Sequence, residues 1–88
     1  MKATPEPLQP FVAVVVRKTR LARGWSQERL AREVGVEPSE ISKLESGKRE
    51  STVWTLQRVG QALGVSCPGL LWQAEMLQRR VKREEAES

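Results

Sequence analysis

The stretch QERLAREVGVEPSEISKLES, residues 27–46, decides how this chain folds. Its first half carries an apolar stripe with the spacing of a helix of 3.6 residues per turn: Leu30, Ala31 and Val34. Gly35 interrupts that pattern. Pro38 then stands where a second helix can begin, because a proline in the first turn loses no hydrogen bond. The stretch therefore predicts a helix, a tight turn and a second helix.

Two small residues suit a steep crossing of these helices. Ala31 allows close packing at the contact, and Gly35 permits the positive φ of a chain reversal. Counted from Gln27, the alanine is fifth, the glycine ninth and the inward-pointing Ile41 fifteenth. With WSQERLA before, GVEPSEISKLESGKR within and TLQRVGQALGV after, the chain resembles the Cro/lambda-repressor-like (Xre family) helix-turn-helix domain over roughly residues 11–71. The resemblance implies an all-α, five-helix lambda-repressor-like DNA-binding domain with an extended C-terminal helix.

Length and composition predict one domain. With 88 residues, of which 39% are hydrophobic, the chain can build a single small core. Three prolines predict a flexible N-terminal arm over residues 1–10, which has little effect on DNA binding because Lys2 is its one basic side chain. The helix-turn-helix domain is expected over residues 11–81, and residues 82–88 are expected to be a frayed charged tail.

The segment FVAVVV, residues 11–16, is β-branched and by propensity suits a buried strand. RKTRLAR follows it without a turn residue, and no second β-rich segment offers a partner, so a helix to Arg23 is favoured. A fourth helix, capped by Ser51 or Thr52, is expected to bury a stripe of four residues: Val53, Leu56, Val59 and Leu63. Arg58 lies off that stripe and is expected to be solvated. A fifth helix is expected to begin near Leu70.

The second helix of the pair is the expected recognition helix, because its N-terminal end would enter a DNA major groove. Ile41 and Leu44 point inward, so five other residues are expected to face the bases: Pro38, Ser39, Glu40, Ser42 and Lys43. The family often carries glutamine or arginine at these positions, whereas this chain has Glu37, the expected cap, and Glu40. This is a departure from the family pattern, and a carboxylate near the groove repels phosphate. The two glutamates either take part in readout or stabilise the positive end of the helix.

Five residues are expected to contact phosphates around this helix: Ser26, Gln27, Ser46, Lys48 and Arg49. Ser26 is the expected N-cap of the first helix of the pair, and the resemblance gives Gln27 the phosphate contact. Lys48 and Arg49 follow the helix in a basic loop. Plain solvent exposure is the alternative for Gln27 and for the two loop cations.

The resemblance also implies a structural ion pair. Arg20 stands where the first helix of this family pairs with a glutamate of the recognition helix, which is Glu45 here. A solvated surface arginine is the alternative.

A heptad-like seam on the fifth helix predicts a two-fold contact. The expected dimer interface comprises the seam and three large apolar residues: Leu70, Ala74, Leu77, Val81, Trp54, Trp72 and Met76. Intramolecular packing of the same residues is the alternative.

Composition narrows the function. The net charge of +4 favours a polyanionic partner, and the charges from Cys67 onward cancel, which leaves the excess in the first three quarters of the chain. With one cysteine and no histidine, no internal disulfide, metal site, cofactor or catalytic centre is expected, so the chain is not expected to be an enzyme. Cys67 is expected to be a small core residue. No apolar run reaches the roughly 20 residues of a membrane span, and a reducing cytoplasm suits the chain.

The sequence thus predicts a sequence-specific, double-stranded DNA-binding transcription regulator that acts as a homodimer on a palindromic or near-palindromic operator. The sequence does not distinguish between a repressor, a restriction-modification controller and an antitoxin. A toxin or polymerase is a possible further protein partner. The alternative is a protein-interaction adaptor that keeps the fold without specific operator readout.

Overall fold

The computed structural model describes residues 7–48 and 51–87, and these form five helices and no strand. The helices are α1 (Gln9–Ala22), α2 (Gln27–Val34), α3 (Pro38–Ser46), α4 (Val53–Leu63) and α5 (Cys67–Glu87). The all-α prediction is confirmed, and the strand alternative for residues 11–16 is wrong. None of the described helices combines the length and apolar character that a membrane crossing requires.

The core collects one face of every helix. α1 packs against α3, α4 and α5, α2 packs against α3 and α4, and α4 also contacts α5. The buried apolar residues that form the central cluster are Val12, Val15, Val16, Leu30, Ala31, Val34, Ile41, Leu44, Leu56, Val59, Leu63, Leu70 and Ala74. Each large side chain removed from water in this way contributes about 1.5–3 kcal/mol to folding.

Helix α1 begins at Gln9, two residues earlier than the sequence predicts. Pro10 lies in its first turn, where the missing N–H has no helical acceptor to lose. The Gln9 side chain also donates to Ser51 Oγ at 3.3 Å and accepts from Ser51 N at 3.1 Å. This pair joins the start of α1 to the segment before α4. Residues 1–6, which make up most of the predicted arm, lie outside the described residues.

Helix α4 has the predicted cap and a modified stripe. Thr52 Oγ1 accepts from Thr55 N at 3.1 Å, and α4 ends at Gly64. Leu56, Val59 and Leu63 are buried as expected, but Val53 is 64% exposed, so its predicted place in the core is wrong. Val53 is the first residue of α4, beyond the part of the helix that the other helices cover.

Gly60 takes the inner place on α4 instead. A Cβ on this residue would lie 2.2 Å from the carbonyl oxygen of Val65, so α4 and the chain that returns from it approach too closely for any side chain. The glycine therefore fixes the corner between α4 and α5.

Helix α5 is longer at both ends than predicted. It begins at Cys67, and Ser66 Oγ accepts from Gly69 N at 3.0 Å, which satisfies a donor of the first turn. It continues to Glu87 instead of fraying after Val81. The tail KREEAE consists of strong helix formers, which explains the extension. Cys67 is half-buried against the core.

Candidate nucleic-acid interface

The turn between α2 and α3 has the geometry that its glycine predicts. Gly35 adopts φ +87° and closes α2 with a hydrogen bond from its N–H to the Ala31 carbonyl at 2.8 Å. Val36 N donates to the same carbonyl at 3.0 Å. Ala31 is buried at the crossing and Ile41 is fully enclosed. The buried side of α3 is thus fixed against α2, and its opposite side faces solvent.

The five residues predicted to read bases share this solvent-facing side. Pro38, Ser39, Glu40, Ser42 and Lys43 are all exposed. Glu37 occupies the N-cap position of α3, but its side chain makes no capping hydrogen bond. Glu37 therefore holds the predicted cap position without a side-chain cap. Pro38 has no N–H and Glu40 N donates to the Glu37 carbonyl at 2.9 Å, so the first turn of α3 offers few free N–H groups to an anion.

The basic member of this face has an acidic neighbour. Lys43 Nζ lies 3.9 Å from Glu40 Oε1, and the two side chains are 49% and 56% exposed. An exposed pair at this distance contributes little to stability, about 0–1 kcal/mol. The ammonium group can therefore leave the carboxylate for a base edge at small cost.

Arg20 and Glu45 form a buried bidentate ion pair at the two positions that the resemblance implies. Arg20 Nε and Nη2 donate to the Glu45 carboxylate at 2.7 and 2.8 Å, and Nη1 donates to the Trp25 carbonyl at 2.7 Å. The side chains are 7% and 3% exposed. Hydrogen bonding to Glu45 raises the pKa of Arg20, against the opposing effect of burial. The pair fixes α3 to α1.

Gln27 joins the same carboxylate. Its Nε2 donates to Glu45 Oε1 at 3.1 Å, and the residue is half-buried. The sequence predicts a phosphate contact for this amide and does not predict the bond to Glu45. Because the amide nitrogen carries two hydrogens, the bond to Glu45 leaves one for a further acceptor.

The other predicted phosphate contacts differ in what they can donate. Ser26 Oγ accepts from Arg29 N at 3.0 Å, so its own proton stays available. Ser46 Oγ donates its proton to the Lys43 carbonyl at 2.6 Å and accepts from Lys48 N, so its phosphate contact stays a prediction that would require this hydroxyl to turn. Lys48 is exposed. Arg49 lies outside the described residues.

Arg58 is the residue of this region that sequence reasoning missed. Its Nε and Nη2 donate to the Val34 carbonyl at 2.9 and 2.7 Å, and its guanidinium lies 5.0 Å from the centre of the Trp54 ring. Arg58 is exposed, as expected, but its guanidinium is bonded to the protein and is not merely solvated. The signal was indirect: the last carbonyls of α2 need donors, and a long cation on a neighbouring helix can supply them.

The residues predicted for the dimer interface do not form one surface. Leu70 and Ala74 are fully buried in the core of the single chain, so the prediction that they contact a partner is wrong. Trp54, Trp72 and Met76 are 57%, 63% and 44% exposed, while Leu77 and Val81 are half-buried. Trp72, Met76 and Leu77 line a groove between α1 and α5, and Trp54 does not. The seam is in part intramolecular because α5 packs on α1.

Comparisons with known proteins agree with this architecture. The HTH_3 helix-turn-helix family model matches residues 16–70. The structure superposes on the clp gene regulator ClgR from Corynebacterium glutamicum with a TM-score of 0.78 and 30% identity, over 94% of this chain and 92% of that chain. The restriction-modification controller protein C.AhdI from Aeromonas hydrophila gives a TM-score of 0.66 at 30% identity, over 72% of this chain and 94% of that chain.

A curated relative adds sequence evidence. The chain is 32% identical over 66 residues to a protein of Neisseria meningitidis serogroup B named as a hypothetical transcription factor, and the match covers 75% of this chain and 62% of that protein. The chain thus spans less than two thirds of the curated relatives it matches. It belongs to the helix-turn-helix family of Cro/lambda-repressor-like transcription regulators. This family agrees with the expectation that the chain is not an enzyme.

Proposed function

We propose that this protein binds double-stranded DNA in a sequence-specific manner and regulates transcription as a homodimer. The observation that carries the proposal is the exposed polar face of α3, held outward by the turn at Gly35 and by the buried Arg20–Glu45 pair. A helix presented in this way suits a major groove, which is wide enough to admit it.

Each exposed residue of α3 suits a particular contact. Lys43 can donate to O6 or N7 of guanine, Ser39 and Ser42 can bond to either kind of base edge, and Pro38 can touch a thymine methyl. Glu40 can accept from cytosine N4, or it can hold Lys43 in place beside the groove. The base-reading face is therefore small, polar and centred on Lys43.

Phosphate contacts would flank this face. Ser26 keeps a free hydroxyl proton, Gln27 keeps a free amide hydrogen and Lys48 is exposed beyond the end of α3. Contacts of this kind set the position of the protein on the duplex without selecting a base. They supply affinity that falls as salt concentration rises.

Selection of bound duplexes from a random pool, followed by affinity measurements on the selected site and its single-base variants, tests base readout. Lys43→Ala should remove about 1–3 kcal/mol of discrimination at one base pair of each half-site. Lys48→Ala should weaken binding to all sequences and reduce the salt slope by about one. Arg83→Ala, which removes a charge outside α2 and α3, should do neither. Equal loss on every sequence for Lys43→Ala would contradict base readout by this residue.

The homodimer would place two α3 helices on half-sites about one helical turn, roughly 34 Å, apart on a palindromic or near-palindromic operator. Exposed Val53 and Trp54 support a contact at the start of α4, because they follow α3 closely in the chain and offer adjacent apolar side chains. A two-fold contact there would keep the recognition helices near the dyad.

Sedimentation of the chain with and without operator DNA tests the homodimer. Val53→Ser with Trp54→Ser should shift the protein to monomer and weaken binding to a palindrome more than to a half-site. If this variant still dimerises fully, the dimer interface does not include Val53 and Trp54.

Repression by blocking polymerase is the simplest outcome, and the similarity to a controller protein supports the controller type as well. The exposed carboxylates Glu37 and Glu40 support the second candidate, a protein-interaction adaptor, because they oppose phosphate. Absence of duplex binding at low salt would favour the adaptor.

A further inference from the structure

Helices α1 and α5 leave an open groove of about 750 Å³ between them, which we call the α1/α5 groove. Its apolar lining residues are Val15, Ala22, Val65, Trp72, Met76 and Leu77. Trp72 and Met76 are 63% and 44% exposed, so two of the largest apolar side chains of the chain meet water here. Contiguous apolar surface of this kind marks sites that bind partners.

The rim of the groove is basic. Lys18 on α1 and Arg79, Arg80 and Arg83 on α5 line it, and no carboxylate does so among the described residues. None of these four cations forms an ion pair with another described residue. The groove therefore combines an apolar floor with four positive charges that form no ion pair within residues 7–48 and 51–87.

This surface is separate from the proposed DNA contact. No residue of α2 or α3 lines the groove, whereas the residues expected to touch bases all lie on α3. A second copy of the chain is a poor occupant, because a two-fold contact would set the four cations of one groove against those of the other. Charge complementarity instead favours an acidic partner.

The shape of the groove indicates a helical occupant. On α5 the lining residues 72, 76, 80 and 83 follow one face over about 16 Å, at 1.5 Å per residue. On α1 residues 15, 18, 19 and 22 form the facing stripe. A third helix of about three turns fits between two such stripes, and an amphipathic helix in a groove is a common mode of peptide recognition. A small molecule would need a more enclosed site, since ligand pockets bury most of the ligand.

We propose that the α1/α5 groove is a docking site for an acidic amphipathic helix of a partner protein. Apolar residues of that helix at i, i+3 or i+4, and i+7 lie against Trp72, Met76 and Leu77. Its carboxylates pair with Arg79, Arg80, Arg83 and Lys18. The site is independent of operator reading, so the protein would bring an acidic partner to the DNA or be modulated by it.

Panning of a random 16-residue peptide library against the full chain tests the proposal. The enriched peptides should carry several carboxylates and apolar residues at helical spacing, and they should gain helicity on binding. Arg80→Glu with Arg83→Glu should weaken the enriched peptide by about tenfold or more, and Trp72→Ala should do so to a similar degree. Arg17→Glu, an exposed charge change on α1 outside the groove, is the matched control and should stay within about twofold.

Each variant is first checked for its helical circular dichroism and its duplex binding, which should match the parent chain. Enrichment of neutral or basic peptides, or equal weakening by Arg17→Glu, would overturn the proposal. Loss of self-association on Trp72→Ala would show that a second copy occupies the groove. Loss of duplex binding on Arg80→Glu with Arg83→Glu, in a folded protein, would assign the rim to DNA instead.

Discussion

The α2–α3 pair and the α1/α5 groove treat their charged groups in opposite ways. In the first region, Glu45 accepts from both Arg20 and Gln27, and Arg58 donates to the end of α2. In the second, four cations surround an exposed tryptophan without an ion pair to the described chain. The polar groups of the first region are satisfied by side chains of α1, α2 and α4, so this region can act as a rigid probe. The second leaves groups that a partner would satisfy.

The groove also changes how the net charge is understood. The sequence shows that charges from Cys67 onward cancel, which places the basic excess elsewhere. In the structure, three arginines of that segment face the groove, while Glu84, Glu85 and Glu87 follow at the far end of α5. A segment that is neutral in sum therefore presents a basic surface.

The largest expected effect is in the first region. Glu45→Ala leaves the Arg20 guanidinium buried without its partner and should lower the free energy of unfolding by about 3–5 kcal/mol in urea titrations. Glu33→Ala breaks the exposed Arg29–Glu33 pair and should cost no more than about 0.5 kcal/mol. Similar losses for the two variants would refute a structural role of the buried pair.

The raised pKa of Arg20 also determines how the stability loss in Glu45→Ala depends on pH. Because Glu45 raises the pKa of Arg20, the stabilisation is fully present below the ordinary arginine pKa and disappears only as pH rises through the raised value. The Glu45→Ala difference should therefore vary little from about pH 6 to about pH 9 as far as Arg20 is concerned.

Neighbouring residues of α5 separate core from groove. Leu70→Ala should destabilise the chain by about 2–5 kcal/mol because it opens a cavity in the core. Trp72→Ala removes a larger side chain yet should cost less than about 1 kcal/mol, because 63% of the tryptophan is exposed. Thermal unfolding of the two variants measures the difference. A larger loss at Trp72 would mean that the groove belongs to the folding core.

Arg58 offers an intermediate test. Arg58→Ala leaves the Val34 carbonyl without two donors and should cost about 1–3 kcal/mol, with a matching loss of operator affinity because the turn before α3 loosens. Arg58→Lys keeps the charge but cannot bond through a guanidinium fork, so its stability and operator affinity should lie between those of the parent chain and of Arg58→Ala. Amide hydrogen exchange at Gly35 and Val36 measures the loosening. Unchanged exchange in Arg58→Ala would exclude this role.

The smallest effect is expected at the groove rim. Arg80→Ala and Arg83→Ala remove exposed cations that pair with no described residue, so stability should change by no more than about 0.5 kcal/mol each. Denaturant midpoints measure this directly. A loss of several kcal/mol in the free energy of unfolding would show that these arginines stabilise the fold as Glu45 does.

Local signals in the sequence predicted much of the fold. Gly35 and Ser26 mark their helix ends through backbone requirements that no distant residue alters, and both lie where predicted. Ile41 and Leu44 are buried because periodicity identifies the inner face of a short helix. The five exposed residues of α3 follow from the same periodicity.

Most of the features that the sequence did not predict depend on contacts between residues far apart in the chain. Arg58 caps a helix whose end lies 24 residues earlier in the chain, and periodicity carries no information about such a distance. Leu70 and Ala74 were assigned to a partner because a seam shows which residues share a face but not which helix covers it. Pro10 was assigned to an arm although it suits the first turn of a helix as well as Pro38 does.

The bond from Gln27 to Glu45 has an entropic consequence. The amide is held by Glu45 when the chain folds, so a phosphate that contacts Gln27 as proposed would meet a donor that is already oriented. Ordering a free glutamine at that moment would cost about 0.5–1.5 kcal/mol. Preorganisation by Glu45 transfers this cost from docking to folding.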